Sequence, residues 1–197
     1  MNDKVFPTAK WERLISKERQ EGQSVNKFLK LTQPKSNEIW ADIGCGPGYF
    51  TLPLAQKVKK VLAVDVKEQM LNICKKRADH VHLNNIEYLQ SNGELINHQS
   101  NFFDKILIAN VLHEFDDRQK ALTEMNRLLR TNGYAFVIDW KYEDMNSGPP
   151  LDHRLPMQKV INEFLTNGFS LLHNWEVYEQ FYFLSFQKIN ELKYHVF

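Results

Sequence analysis

Only two cysteines, Cys45 and Cys74, occur among the 197 residues. Two thiols fall short of a disulfide framework or a zinc cluster, and the expected setting is a reducing, cytoplasmic one. Long uncharged apolar runs are also missing, so no membrane span is expected. The opening stretch MNDKVFPTAKWERL lacks the apolar core of a secretory leader. Charge of one sign is equally scarce: 25 Lys and Arg stand against 24 Asp and Glu, a formal net charge of +1. Nucleic-acid binders concentrate positive charge to neutralise phosphates. Here the basic runs are short (Lys57 with Lys59 and Lys60; Lys75, Lys76 and Arg77) and fall at expected helix ends, where lysine complements the helix dipole. Nucleic acid is therefore not the expected partner.

What remains is an ordinary globular balance, 43% hydrophobic and 25% charged. The length suits one domain, residues 1–197, with a helical cap over 1–35 and a core over 36–197. Short apolar runs without polar alternation read as buried parallel strands: Ile39–Ile43, Val61–Val66, Phe103–Ala109 and Tyr134–Ile138, with Ile86–Leu89 a weaker candidate. Helical patterns lie between them. One runs from Tyr49 to Lys57, and Met70, Ile73 and Cys74 form a second apolar stripe. Ala121, Leu122, Met125, Leu128 and Leu129 follow one helical face, stopped by Asn132-Gly133. Met157, Val160, Ile161, Phe164 and Leu165 form another, closed by Gly168. The order predicts a doubly wound α/β sheet. Phe169–Val177 and Phe181–Lys188 then follow with no helix between them, which predicts an antiparallel hairpin at one sheet edge. Near the N-terminus, helical stretches around Trp11-Leu14-Ile15 and Val25-Phe28-Leu29 are expected either to cap the carboxyl ends of the strands or to pack beside the sheet.

The strongest local signal is Asp42-Ile43-Gly44-Cys45-Gly46-Pro47-Gly48, which follows a predicted strand and opens a helix. Glycines there let the chain turn sharply and let a ligand approach the backbone. In open α/β sheets that ligand binds outside the carboxyl ends of the strands. Asp65, at the end of the next strand, is placed to accept hydrogen bonds from ribose hydroxyls. Two ligand classes use this arrangement, dinucleotides and S-adenosylmethionine. The glycines are spaced more closely than the G-x-G-x-x-G of a pyrophosphate loop. Asp42 would repel a pyrophosphate but suits the ammonium of a methionine moiety. The chain also leaves no room for the separate substrate domain of a dehydrogenase. The expected contacts on this side are Asp42, Gly44, Cys45, Gly46, Gly48, Asp65 and Met70.

In this order and spacing the chain resembles the class I S-adenosylmethionine-dependent methyltransferases, from about Trp11 to Lys188, and particularly the small stand-alone ubiquinone and menaquinone type. Asp42 to Gly48 looks like the first motif of that family, and Val64-Asp65 like its acidic ribose site. Phe103 to His113 is similar to its fourth-strand motif, and Leu129 to Tyr134 to the turn before its fifth strand. The resemblance implies a Rossmann-like three-layer sandwich whose mostly parallel, seven-stranded sheet ends in an antiparallel hairpin. It also implies S-adenosylmethionine as cofactor, Val66 packed on adenine and Asn110 touching the methionine part through its backbone. Where the family usually carries an acid after the third strand, this chain has Ser91-Asn92-Gly93. Asn92 can offer its carbonyl to the adenine amino group, and the Gly93 N–H can meet a ring nitrogen.

Methyl transfer from a sulfonium asks the protein mainly for proximity and electrostatic setting, and a protic acceptor also needs a base. His113 is either that base, because its ordinary pKa lies near neutrality, or a cap of its turn. Asp139, at the end of the fifth strand, either faces the same crevice or caps the turn to Trp140. In the loop after that strand, His153 and Arg154 either hold an anionic acceptor or belong to a proline-rich connection whose Arg154 pairs with the next helix. No Asn-Pro-Pro-Tyr follows the fourth strand, which argues against methylation of base amino groups. No cysteine stands where a nucleophile for pyrimidine carbon-5 is expected, and a trio for arsenite is lacking. A small organic acceptor is the expected partner. The rival readings are a protein or RNA methyltransferase acting with a partner, a nicotinamide oxidoreductase, and a non-catalytic module that binds S-adenosylmethionine.

Overall fold

The computed structural model describes residues 5–189. Residues 1–4 of the expected helical cap and 190–197 of the expected core lie outside that range. Among the described residues seven strands form one sheet: β1 (Ile39–Ile43), β2 (Lys60–Asp65), β3 (Ile86–Gln90), β4 (Phe103–Ala109), β5 (Leu129–Trp140), β6 (Phe169–Trp175) and β7 (Phe181–Lys188). Their spatial order is β3-β2-β1-β4-β5-β7-β6. The first five are mutually parallel. β7 pairs antiparallel to β5 and to β6, so the expected hairpin closes one edge. The strand order reverses between β1 and β4, and the crevice a ligand can enter opens there, at the carboxyl ends.

The buried runs lack polar alternation because each strand feeds two cores. Ala41, Ile43, Ile106, Ile108, Ala135 and Val137 point to one face, where α5 (Arg118–Leu128) and α6 (Met157–Thr166) cover them. Trp40, Val61, Ala63, Leu107, Phe136 and Ile138 point to the other. That face is covered by α3 (Thr51–Ala55) and α4 (Glu68–His80). Trp40 stacks on Phe136 at 5.5 Å between ring centres. Aromatic pairs of this kind add to the area they bury.

The fifth strand begins earlier than the sequence suggests. Leu129 completes the apolar stripe of a helix, but α5 ends at Leu128 and Leu129 already pairs with Phe103 in the sheet. An apolar residue at that point satisfies either pattern, so periodicity cannot separate them. Asn132-Gly133 is not a helix stop. It sits in a bulge, where the chain from Leu129 to Tyr134 spans only Phe103 to Lys105 of the partner strand. The helix read over Tyr49–Lys57 is shorter, Thr51–Ala55.

The N-terminal segment divides between the crevice and the side of the sheet. A 3₁₀ helix at Thr8–Ile15 and α1 (Lys17–Gly22) line the open end of the crevice. α2 (Val25–Thr32) packs beside the sheet, its buried Phe28 against Trp40, Phe50 and Phe183. α1 itself is a third helix that the apolar pattern does not announce, because KERQEG carries no apolar face. Ser16 caps it by accepting a hydrogen bond from the Arg19 N–H at 3.3 Å. Among the described residues no helix is long and apolar enough to cross a membrane.

Candidate active site

A cleft of about 770 Å³ occupies the switch point, within the range of small-molecule sites. Its first wall is the glycine loop. The Gly44 and Cys45 N–H groups donate to the Val64 carbonyl at 2.8 and 2.9 Å, which folds the loop over the end of β2. The Gly46 N–H then donates to Asp65 Oδ2 at 2.8 Å, and the Lys67 N–H to Asp65 Oδ1 at 2.8 Å. The loop and the carboxylate are thus in direct contact. Burial raises the pKa of Asp65, against the pull of these two hydrogen bonds.

Two glycines are required by space as well as by angle. Gly44 has φ +75°, and a Cβ there would lie 2.6 Å from the Val111 side chain. Gly48 has φ +85°, and a Cβ would meet Leu52 at 2.5 Å and Cys74 at 2.6 Å. Gly48 faces the helices and is outside the cleft lining, whereas Gly44, Cys45 and Gly46 are within it.

Asp42 lies at the base of the cleft, buried, and accepts a hydrogen bond from the Thr51 hydroxyl at 2.6 Å. Burial pushes its pKa up to about 7, although the Thr51 bond opposes the shift. Val66 is 43% exposed and Met70 is buried, and both line the cleft beyond Asp65. Asn92 lines it too, but its side-chain oxygen accepts from the Glu94 N–H at 3.1 Å in a local turn. The Gly93 N–H expected to face a ring nitrogen donates instead to Ser91 Oγ at 3.1 Å. Gly93 is outside the lining, and a Cβ there would strike Phe115 at 2.7 Å, so its glycine serves packing. Asn110, at φ +58°, donates its N–H to the Ile138 carbonyl at 2.7 Å where β4 ends.

The second wall holds a dyad. His113, on a 3₁₀ turn at Leu112–Glu114, places Nδ1 2.7 Å from Asp139 Oδ1. The His113 N–H donates to Asp139 Oδ2 at 3.2 Å, and the Trp140 N–H to Oδ1 at 2.8 Å. Asp139 is 1% exposed, while His113 lines the cleft. The carboxylate orients Nδ1 and leaves Nε2 as the second ring nitrogen. Burial pulls the His113 pKa down, but the charge and hydrogen bond of Asp139 outweigh it and the net shift is upward. Neighbouring Glu114 is raised to about 7 by burial, and it accepts from the Phe6 N–H at 3.2 Å.

Beyond the dyad, Trp140 and Phe181 pack at 4.3 Å, and Gly148, Pro149, Pro150 and His153 complete the lining. Arg154 is not in it. The side chain is 4% exposed and donates to the carbonyls of Pro149 (2.9 Å), Glu143 (2.6 Å) and Ser147 (2.7 Å). It also lies over the Trp140 ring at 5.5 Å. With a fourth, longer bond to the Lys141 carbonyl at 3.5 Å, the guanidinium holds the 141–150 segment in place and has little left for an acceptor. Nor does it pair with the next helix: the arginine bonded to α6 is Arg118, through Glu163.

Sequence reasoning missed the contribution of α1. Arg19 and Gly22 line the cleft, and the Arg19 guanidinium stacks over the Tyr49 ring at 5.0 Å. The Tyr49 hydroxyl donates to the Gln23 carbonyl at 2.8 Å, tying α1 to the glycine loop. A charged six-residue segment reads as a solvated face, and no local signal marks it.

A family profile described as a methyltransferase domain matches residues 41–137. A SAM-dependent methyltransferase from Aquifex aeolicus, known from its crystal structure, is similar with TM-score 0.88 and 28% identity, over 94% of this chain and 100% of that one. An uncharacterized methyltransferase of Bacillus subtilis, YcgJ, is 24% identical over 147 residues, 75% of this chain and 53% of that protein. The ubiquinone/menaquinone biosynthesis C-methyltransferase UbiE of Zymomonas mobilis is 32% identical over 113 residues, 57% of this chain and 47% of that protein. The chain spans about half the length of these curated relatives.

Proposed function

Because the chain is a class I, Rossmann-like S-adenosylmethionine-dependent methyltransferase in sequence and fold, we propose that its cleft passes a methyl group to a small organic acceptor bearing an acidic hydroxyl. The observation that carries this reading is the pairing, across one cleft, of a glycine loop bonded to Asp65 with a His113–Asp139 dyad.

The residues of the first wall fit the cofactor. The cleft volume, the buried carboxylate of Asp42 for an ammonium, the Asp65 carboxylate for ribose hydroxyls and the apolar Val66 and Met70 for an adenine face are the groups such a ligand needs. When bound, S-adenosylmethionine supplies a methyl group already activated on a sulfonium. The protein's own part lies in the second wall. His113 takes a proton at Nε2 from the acceptor, while Asp139 fixes the ring and stabilises the imidazolium that forms. The Trp140–Phe181 pair, its rings tilted at 46°, and Pro149–Pro150 give an apolar wall suited to an apolar or aromatic acceptor. The Zymomonas relative is named for carbon methylation in ubiquinone and menaquinone biosynthesis. A hydroxylated ring, whose carbon becomes nucleophilic once the hydroxyl is deprotonated, suits both the base and the surface here.

Thermal unfolding tests the cofactor half of this reading against the nicotinamide alternative. S-adenosylhomocysteine at 100 times its dissociation constant should stabilise the protein by roughly 2.7 kcal/mol and raise Tm, while NAD at the same concentration should leave it unchanged. Equal shifts with both ligands, or none with either, would sink the reading.

A further inference from the structure

Arg19 is one of the basic side chains of the cleft, and the proposed function leaves it unexplained. Its guanidinium lies against the Tyr49 ring on one side and the Asn110 amide on the other. With the Asn110 oxygen turned toward it, Nη1 and Nη2 donate to that oxygen at 3.0 and 2.6 Å. Nε is shielded from solvent and has no hydrogen-bond partner. Among the described residues, no carboxylate forms an ion pair with Arg19. Burial lowers its pKa to about 10, against the pull of Tyr49, Tyr178 and Asp139.

An arginine Nε shut off from water without a partner is costly unless an anion meets it. The fork geometry of arginine favours a planar, two-oxygen anion above all. The position then narrows the choice of anion. Tyr49 belongs to the segment that follows the glycine loop, and Asn110 is the residue at which β4 leaves the switch point. Both border the place where an amino-acid end would lie if Asp42 receives its ammonium. The Trp140–Phe181 pair forms a separate part of the lining.

We infer that Arg19 clamps a carboxylate in the cleft, that of the amino-acid end of the cofactor, and that α1 is thereby part of the binding site. The inference rests on the cofactor reading above. It gives a reason for the ties between α1 and the loop: the Tyr49 hydroxyl bond to the Gln23 carbonyl and the Ser16 cap hold Arg19 in register with the glycine loop. A carboxylate on the acceptor offers the same chemistry from another source, and the experiment separates the two.

Calorimetric titration of wild type, Arg19→Met and Arg19→Lys with S-adenosylhomocysteine and with 5′-methylthioadenosine supplies the test. The second ligand keeps the adenosine and thioether but lacks the amino-acid end. Arg19→Met should weaken S-adenosylhomocysteine by roughly ten- to a hundredfold, the scale of a lost charge-assisted hydrogen bond pair. It should leave 5′-methylthioadenosine within about twofold, which also certifies that the variant is folded. Arg19→Lys should recover part of the loss. Equal weakening of both ligands would mean that Arg19 acts through the fold, and would overturn the clamp. Unchanged S-adenosylhomocysteine affinity with a raised KM for an anionic acceptor would move the clamp to the acceptor and overturn its assignment to the cofactor. Failure of wild type to bind either ligand would instead overturn the cofactor reading on which the clamp stands.

Discussion

On the β1–β2 side of the cleft, what is offered to a ligand comes mostly from one unbroken stretch, residues 42–47, with Asp65, Val66 and Met70 beyond it. Its shape is a backbone shape: positive φ at Gly44, Gly46 and Gly48, and N–H groups folded onto Val64 and Asp65. On the β4–β5 side the offering is made of side chains that meet from afar. His113 and Asp139 are 26 residues apart in sequence, and Trp140 finds Phe181 across the β5–β7 pairing. A wall made of backbone tolerates little variation in sequence. A wall made of side chains on strand ends can change its chemistry without disturbing the sheet. On the proposed reading the first wall serves binding and the second turnover, and each half of that reading can be broken separately.

The largest effect is expected on the second wall. His113→Ala should lower methyl transfer by about 10²–10⁴-fold, the usual weight of a positioned general base, while the Kd for S-adenosylhomocysteine stays within about threefold. Rates of S-adenosylhomocysteine release, set beside calorimetric titration, check both halves. A base must be deprotonated to act, and Asp139 raises the pKa of His113 above its ordinary 6.5. Activity should therefore fall as pH drops through a midpoint above 6.5. Asp139→Asn should move that midpoint down as well as slow the reaction. Asparagine is preferable to alanine there, because Asp139 also accepts the His113 and Trp140 N–H groups. A loss of cofactor affinity as large as the loss of rate would erase the distinction between the walls.

Next comes the first wall. Asp65→Ala removes the acceptor for the Gly46 and Lys67 N–H groups, and with it a partner for ribose. Cofactor affinity should weaken by ~1–3 kcal/mol, the scale of hydrogen bonds to a charged group, whatever acceptor is present. Titration with S-adenosylhomocysteine gives the number directly. Unchanged affinity would remove Asp65 from the site and leave its role as a brace for the loop.

The same division explains how far the sequence could be read. The strands Ile39–Ile43 and Phe103–Ala109 emerge with the bounds their apolar runs predict, because a strand buried on both faces writes its burial into every residue. That the glycine loop and Asp65 share one crevice was also legible, since a strand–loop–helix unit followed by a second strand brings them together, whereas the Gly46 N–H bond to the carboxylate was not. Elsewhere the evidence in the chain is indirect. Leu129 satisfies helix and strand alike, and pairing with Phe103 decides for the strand. Arg154 stands in a loop facing the acceptor side, yet nearby carbonyls at Pro149, Glu143 and Ser147 claim its donors. Whether an arginine reaches outward or staples its own loop depends on where those carbonyls point, which is a property of the folded loop. Arg19 is the converse: a residue in a polar helix, unmarked by any pattern, that the tie between Tyr49 and Gln23 brings into the cleft.

The smallest effect is a slope. Asp42 sits beneath the first wall with its pKa pushed up to about 7 by burial, and nearby Asp65 adds to the shift. In the free protein near neutrality the group is therefore partly protonated, whereas a cationic ammonium is met only by the ionised form. Binding then expels a proton, and the linkage sign follows. Affinity for S-adenosylhomocysteine should rise with pH below about 7, by at most tenfold per unit, and level off above it. Glu114, also near 7 and also in the lining, could impose a similar slope from the second wall, so the profile of wild type alone does not assign it. Asp42→Asn should flatten the titration between pH 5.5 and 8 and fix the affinity at a low value. If the slope survives in Asp42→Asn and vanishes in Glu114→Gln, the proton belongs to the second wall, and the assignment of the ammonium to Asp42 fails.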